Sequence, residues 1–405
     1  MLAKRVEQHL IKKNNPLWKT IDNLCFKSKN VYNCANYIIR QEFINNGKWI
    51  RCNELDKLMQ KQDCYYELGS QCSQQTLKIL DENWKSFFSS IKDWRKNQYK
   101  YLGIPKLPKY KNKEKGRFIL SLKNIQFKIK DSYIFFSWKP LKLLNNQFKT
   151  KINGRPMQLR FIPRGDYYVM EVVYEINVPD VNTDNTNIIG IDLGIDNFVT
   201  ISNNIGVKSI IINGRGIKSI NQYYNKKTSQ IRSQLKTLHN KDWSNILQRL
   251  TNKRNNKVTD FLHKASKKVI DYCLENNVDT IVIGRNKNWK QESVLSKQVN
   301  QSFISIPHEE FIKKVKYKAE NVGIQIIETE ESYTSGTSFL DNELPVKENY
   351  NKKRRIKRGL FKSNDGILIN ADLNGAYQII KKVFPEAFAD GIEGVDLHPV
   401  RLNVI

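Results

Sequence analysis

Two aspartates stand at positions where a carboxylate is costly unless something cationic meets it. Asp192 closes an apolar run, Ile188-Ile189-Gly190-Ile191, broken only by glycine, and a short turn leads to a second apolar run from Phe198. An apolar run bounded by turn residues reads as a central strand buried on both faces. Asp192 is then either a capping residue of a strand–turn–strand hairpin or a metal-holding carboxylate at a strand end. Asp372 lies far downstream in Asn370-Ala371-Asp372-Leu373-Asn374-Gly375-Ala376, which opens a helix over Tyr377–Val383. Carboxylates at a strand end and on a closing helix can converge on two divalent ions, about 3.5–4 Å apart. Such a pair activates water and stabilises the leaving oxygen in phosphodiester hydrolysis. All-oxygen ligands that leave waters in place suit Mg²⁺, with Mn²⁺ as a substitute.

The elements that must position these two residues follow the order strand, hairpin, helices, strand, helix, strand, final helix. That is the order of an RNase H-like α/β domain. Asp279-Thr280-Ile281-Val282-Ile283-Gly284 is one buried strand; Gly323–Ile327 is another, after a helix from Pro307 through Glu320 and before the acidic stretch Glu328-Thr329-Glu330-Glu331. Between the hairpin and these strands, Asn213-Gly214-Arg215 opens a long basic helical tract that includes Lys253-Arg254. A charge run is ordinarily a solvated face, but so many cations with so few acids favour nucleic acid here.

The charge balance points the same way. The 405 residues hold 68 Lys+Arg against 40 Asp+Glu, a net charge of +28. A chain this long has room for two or three domains, and spread cations suit phosphate neutralisation. A membrane surface competes as partner, yet the basic residues are not confined to one amphipathic helix. No apolar run reaches membrane-spanning length and no signal segment is evident, so a cytoplasmic protein is expected. The cysteines at 25, 34, 52, 64, 72 and 273 form no C-x-x-C pair. Neither a disulfide framework nor a zinc site is signalled, and buried free thiols are expected.

Upstream, residues 16 to about 100 have helical periodicity, with Leu77, Leu80, Trp84, Phe87, Phe88, Ile91 and Trp94 as an apolar stripe. Such a stripe is ordinarily core; offering aromatic faces to bases is the rarer use. Gly103–Lys113 changes character: Pro105 and Pro108 stop helix formation, and Lys106, Lys109, Lys111 and Lys113 flank Tyr110. A solvated linker and an extended segment along a phosphate backbone are equally good readings. From Phe118 to Ile176 the alternation is strand-like, with hairpins at Asp131-Ser132 and Pro163–Asp166.

The chain resembles the TnpB family, the transposon-encoded RNA-guided nucleases related to Fanzor proteins and type V CRISPR effectors. Gly190-Ile191-Asp192-Leu193-Gly194 is similar to the family's first RuvC motif and Ala371–Ala376 to its third. Pro105–Lys113, Lys264-Ala265-Ser266 and Tyr317-Lys318-Ala319-Glu320 lend further likeness. The resemblance implies a multidomain α/β protein: an RNase H-like (RuvC) nuclease domain and a β-barrel-like wedge domain with an inserted helical recognition lobe. The implied bounds are 1–15 for the start of the wedge, 16–102 for the helical lobe and 103–186 for the wedge β domain. The nuclease follows at 187–335, a basic loop at 336–364 replaces the family's zinc ribbon, and 365–405 holds the closing helix and tail.

The resemblance further implies a guide RNA, a DNA target beside a short adjacent motif, and cleavage dependent on Mg²⁺ without zinc. Lys106, Lys109, Lys111, Lys113, Arg215, Lys253 and Arg254 are the expected nucleic-acid contacts. One departure bears on activity. Most relatives end the second RuvC strand with Glu, where this chain has Gly284. A subset carries an alternative Glu on the neighbouring strand, matched here by Glu331, so the implied catalytic and metal-holding set is Asp192, Glu331 and Asp372. If the strand 323–327 continues, Glu331 shares the pleat side of Ile327 and Glu330 points the other way. Composition alone makes Glu330-Glu331 a solvated acidic turn. The alternatives to this reading are a cleavage-dead RNA-guided DNA-binding repressor, a type V CRISPR effector derived from the same family and a guide-independent transposase or resolvase.

Overall fold

Leu2–Lys12 forms a strand, β1, in which even positions face solvent and odd positions face inward, yet the next elements are helices. The computed structural model describes residues 1–145, 147–285, 306–389, 391 and 395–404. Within them the chain divides into two compact units, Leu2–Asn177 and Val178–Ile405, with Met1 assigned to the second.

In the first unit β1 is followed by α1 (Trp18–Asn46), α2 (Cys52–Met59), α3 (Asp63–Leu68) and α4 (Ser70–Lys96). Then come β2 (Leu120–Lys123), β3 (Phe127–Lys130), β4 (Tyr133–Phe136), β5 (Arg155–Pro163) and β6 (Tyr167–Asn177). The sheet order is β1-β6-β5-β2, antiparallel throughout. The β3–β4 hairpin turns on Asp131 and Ser132, both at positive φ, as a two-residue loop between twisted strands requires. Helices and sheet share one core: Tyr32, Leu77, Leu80 and Trp84 are buried with Leu120, Phe161 and Met170. The stripe of α4 is therefore core at Leu77, Leu80 and Trp84, with Phe87 and Phe88 partly buried against it, while Ile91 and Trp94 lie outside that core. Of the cysteines, Cys25, Cys72 and Cys273 are buried as expected, whereas Cys34, Cys52 and Cys64 are half-buried.

The second unit contains β7 (Ile188–Leu193), β8 (Asn197–Asn203), β9 (Ile210–Asn213), α5 (Arg215–His239), α6 (Asn245–Glu275) and β10 (Thr280–Gly284). After these come α7 (His308–Glu320), β11 (Gln325–Thr329), the short hairpin β12 (Leu360–Lys362) and β13 (Leu368–Asn370), α8 (Ala371–Val383) and β14 (Val400–Leu402). The sheet order is β11-β10-β7-β8-β9-β14. β10 runs parallel to β7 and β11, and β8 is antiparallel to β7 and β9.

Pleat parity separates the two faces of this sheet. Ile189, Ile191, Ile281 and Ile283 pack with Val258, Phe261 and Phe311 of α6 and α7. Ile188 and Val282 pack with Ile379 and Ile380 of α8. Gly190 lies on the α8 side, and a Cβ there would meet the Ala376 carbonyl oxygen at 2.2 Å. The glycine that interrupts the apolar run is what admits α8 onto the strand. Residues 336–364 are more than a loop, because Phe339 and Phe361 are buried with Ile369, Leu373 and Tyr377 in a small core of their own. Among the described residues no helix is long and apolar enough to cross a membrane.

Candidate carboxylate centre

Asp192 is the penultimate residue of β7 and shares the α8 face with Gly190 and Gly284. Its carboxylate lies against the helix backbone: a Cβ at Gly375 would stand 3.1 Å from Asp192 Oδ2. Any larger residue at 375 would press on that oxygen. Asp372 occupies the first turn of α8, where the free N–H groups and helix dipole favour a negative side chain. Asn370 caps this end, its Oδ1 accepting from the N–H groups of Asp372 (3.0 Å) and Leu373 (3.1 Å). The Asp372 carboxylate accepts from Asn197 Nδ2 at 2.7 Å and from Arg355 at 2.9 Å.

Glu331 arrives differently from the sequence-based expectation. β11 ends at Thr329, which pairs with Gly284, so Glu331 lies beyond the strand and pleat parity does not carry it. A turn does so instead, with Thr334 N–H and Oγ1 both donating to the Glu331 carbonyl. The Glu331 carboxylate comes to rest over Gly284, where a Cβ would lie 3.2 Å from Oε2. Glu330 is exposed, 4.0 Å from Lys382 Nζ.

The electrostatics record the crowding. Burial raises the Asp192 pKa well above the usual carboxylate range, the charges of Asp372 and Glu331 raise it further, and Arg355 opposes them. Burial and then Glu330 push Glu331 up to about 7 against the pull of Lys382. Carboxylates that resist ionising together are what a divalent cation would neutralise, so the donor set fits an oxygen-loving metal. Among the described residues no three His, Cys, Asp or Glu side chains are drawn close enough to hold an ion in this arrangement. Arg355 brings a positive charge to within 2.9 Å of Asp372.

Sequence reasoning passed over the rim of this centre. Asp196, in the β7–β8 turn, pairs with Lys218 (2.8 Å) and with Arg358. Its pKa is lowered, the hydrogen bond from Lys218 and the charges of Arg358 and Arg215 outweighing burial. Arg401 donates to Asn197 Oδ1 at 3.0 Å. The basic run 352–358 was visible in the sequence, but its pairing with Asp196, 162 residues upstream, and with Asp372, 17 residues downstream, was not.

The expected nucleic-acid residues divide into displayed and engaged ones. Pro105–Lys113 is a strap held by one face of α1. Asn36 Nδ2 and Arg40 donate to the Pro108 carbonyl (3.0 and 3.2 Å). Asn33 exchanges two hydrogen bonds with the backbone of Lys111, and Lys29 Nζ donates to the Lys113 carbonyl at 2.6 Å. The segment is thus no free linker. Lys106, Lys109 and Lys113 are exposed on it, whereas the Lys111 ammonium lies over the rings of Tyr32 and Phe118 at 5.3 and 5.4 Å. Lys253 and Arg215 are exposed. Arg254 instead ties two helices, its Nε donating to Asn221 at 2.7 Å with the guanidinium near Tyr224.

A family model described as a probable transposase (OrfB_IS605) matches residues 171–290, and one described as a Cas12f1-like TNB domain matches 308–379. The TnpB-like protein ORF457 of Acidianus two-tailed virus is 22% identical over 395 residues, spanning 88% of this chain and 81% of the relative. Among solved structures, Cas12f1 in a complex with single-guide RNA and target DNA superposes with a TM-score of 0.57 at 15% identity, covering 90% of this chain and 82% of that one. The mixed α/β fold is shared with that effector.

Proposed function

The chain belongs to the TnpB family, and from that premise we propose that it is an RNA-guided DNA endonuclease acting beside a short adjacent motif. In this reading the second unit is an RNase H-like (RuvC) nuclease domain, and the first combines a wedge-like sheet with a helical recognition lobe. The observation that carries it is the carboxylate of Glu331 lying over Gly284 and acting on Asp192 together with Asp372. A third acid is thereby supplied where the strand itself offers none.

Asp192, Glu331 and Asp372 would hold Mg²⁺, and Mn²⁺ in its place. When bound, the ions supply an activated water and stabilise the leaving oxygen of a phosphodiester. The chain's own residues do the rest. Asn197 and the Asn370 cap fix the orientation of Asp372. Gly375 leaves the Asp192 carboxylate room against α8. Arg215, Lys218 and Arg358 at the rim offer cations to the phosphates flanking the scissile bond. Base pairing with the guide reads most of the target, while the protein reads shape, charge and the adjacent motif.

Guided cleavage of a supercoiled plasmid, run beside a target-binding assay, tests this. Glu331→Gln should cut at least about 10²-fold more slowly than wild type while binding normally, because it loses a ligand and transition-state charge stabilisation. Glu330→Gln should cut like wild type, and Asp192→Ala should not cut. Wild type that binds guided target yet never cuts with either ion would identify a repressor instead.

A further inference from the structure

Lys264-Ala265-Ser266 and Tyr317-Lys318-Ala319-Glu320 take no part in the carboxylate centre, yet the fold brings them together. Lys318 Nζ donates to the His263 carbonyl and to Ser266 Oγ, both at 2.8 Å. Ser266 Oγ in turn donates to the carbonyls of Leu262 (2.7 Å) and His263 (3.1 Å), so α6 fixes the hydroxyl that fixes the ammonium. One turn earlier on α7, Lys314 Nζ lies 3.1 Å from His263 Nε2. An ammonium only donates, so Nε2 must be the accepting nitrogen of a neutral imidazole.

Two half-buried ammoniums and an imidazole thus share one spot. Burial lowers the pKa of Lys318 to about 8, helped by Lys314 and Lys267 and opposed by Asp271. Burial also lowers Lys314, against Glu310. His263 is lowered by burial and then by both lysines, against Asp260. Asp260 and Asp271 are themselves paired with Lys264 and Lys267, and Glu310 lies 3.8 Å from Lys313. The nearby acids are shared with other cations, so the cluster is short of negative charge.

We propose that His263, Ser266, Lys314 and Lys318 form a seat for a backbone phosphodiester of a bound nucleic acid. Each ammonium keeps at least one N–H beyond the bonds above, and both residues reach solvent. An anionic oxygen between them removes the repulsion that the fold alone leaves standing. This inference rests on the reading of the chain as a nucleic-acid-binding protein, and the phosphate belongs either to RNA or to DNA.

The test is binding of the full-length protein to a single-stranded RNA and to a DNA duplex of equal length, over a salt series and a pH series. Lys314→Gln and Lys318→Gln should each weaken binding to one or both probes about tenfold and lower the salt slope by about 1. Lys313→Gln, which removes the same charge from the same helix outside the seat, should do neither. The affinity of wild type should fall as pH rises through about 8, where Lys318 loses its proton, and Lys318→Gln should flatten that fall. Should Lys318→Gln unfold the helix pair, Lys314→Gln retains the tether to α6 and answers alone. Loss with RNA alone assigns the phosphate to RNA, and loss with DNA alone to DNA. If wild type binds and both seat variants match Lys313→Gln on both probes, the seat is wrong and the wider reading stands. If wild type binds neither probe, both fall.

Discussion

The Glu331 carboxylate rests where a side chain at Gly284 would begin, 3.2 Å from the position of its Cβ. Glycine is thus the complement of the acid arriving from the neighbouring strand's turn. The same Cβ would also meet Ile379 Cδ1 at 2.4 Å and Cγ1 at 3.1 Å. Gly284→Ala should therefore cost about 1–3 kcal/mol through displaced Ile379, read as a lowered thermal midpoint. Moving the acid back to the strand with Gly284→Glu and Glu331→Gly should fail to restore cleavage while Ile379 remains. Recovery of full activity in that double variant would show that Ile379 yields freely.

Stability without divalent ions should depend on pH in the direction opposite to that of a salt-bridged acid. Burial, and then the charge of Glu330, push the folded Glu331 pKa up to about 7 from its ordinary value of 4.5, so the folded state binds the proton more tightly than the unfolded one. The penalty is absent below the unfolded pKa, grows as pH rises and is complete above about 7. For Glu331 alone its size is about 3 kcal/mol, and the raised Asp192 adds to it in the same direction. Chemical denaturation between these limits should show stability falling as pH rises, and Glu331→Gln should flatten the curve. Saturating Mg²⁺ should reverse much of the loss at neutral pH, since it binds the ionised acids. An unchanged pH profile in Glu331→Gln would place the titration elsewhere.

Arg355 stands 2.9 Å from Asp372 and opposes the rise that burial, Asp372 and Glu331 impose on the Asp192 pKa. Removing it leaves the acids to repel one another. Arg355→Gln should lower the thermal midpoint at neutral pH without divalent ions, and added Mg²⁺ should stabilise this variant more than wild type. Equal Mg²⁺ shifts in the two proteins would mean that Arg355 does not compensate the acids.

Asp192 and Asp372 were legible because each breaks a strong local pattern, a strand end and a helix start, and so were the hairpin, the α4 stripe and the helix–strand order. Glu331 was found only by resemblance. The reasoning from pleat parity fails because β11 stops at Thr329, and only the β10–β11 register with the following turn brings the acid to Gly284. Arg254 and Lys253 look alike in sequence, but one is spent on Asn221 and the other is exposed. The pair Asp196–Arg358 joins segments 162 residues apart, and Asp372–Arg355 closes across the β12–β13 hairpin, neither of which a local periodicity encodes. The strand-like β unit was visible, but not that its helices share one core with it, since that depends on packing between elements.

The strap Pro105–Lys113 separates holding from binding. Asn36 is fully buried and serves two partners: it donates to the Pro108 carbonyl and accepts from Trp84 Nε1, each at 3.0 Å. Asn36→Ala leaves the indole N–H of a buried tryptophan without that acceptor, which costs about 1–3 kcal/mol, and frees one anchor of the strap. Lys109, exposed on the same segment, holds nothing comparable. Lys109→Gln should leave stability within about 0.5 kcal/mol of wild type while lowering the salt slope of RNA binding by about 1. Denaturant unfolding and a salt series of RNA binding on the two variants check this. If Lys109→Gln leaves the salt slope unchanged, the strap positions other residues and does not itself follow a phosphate backbone.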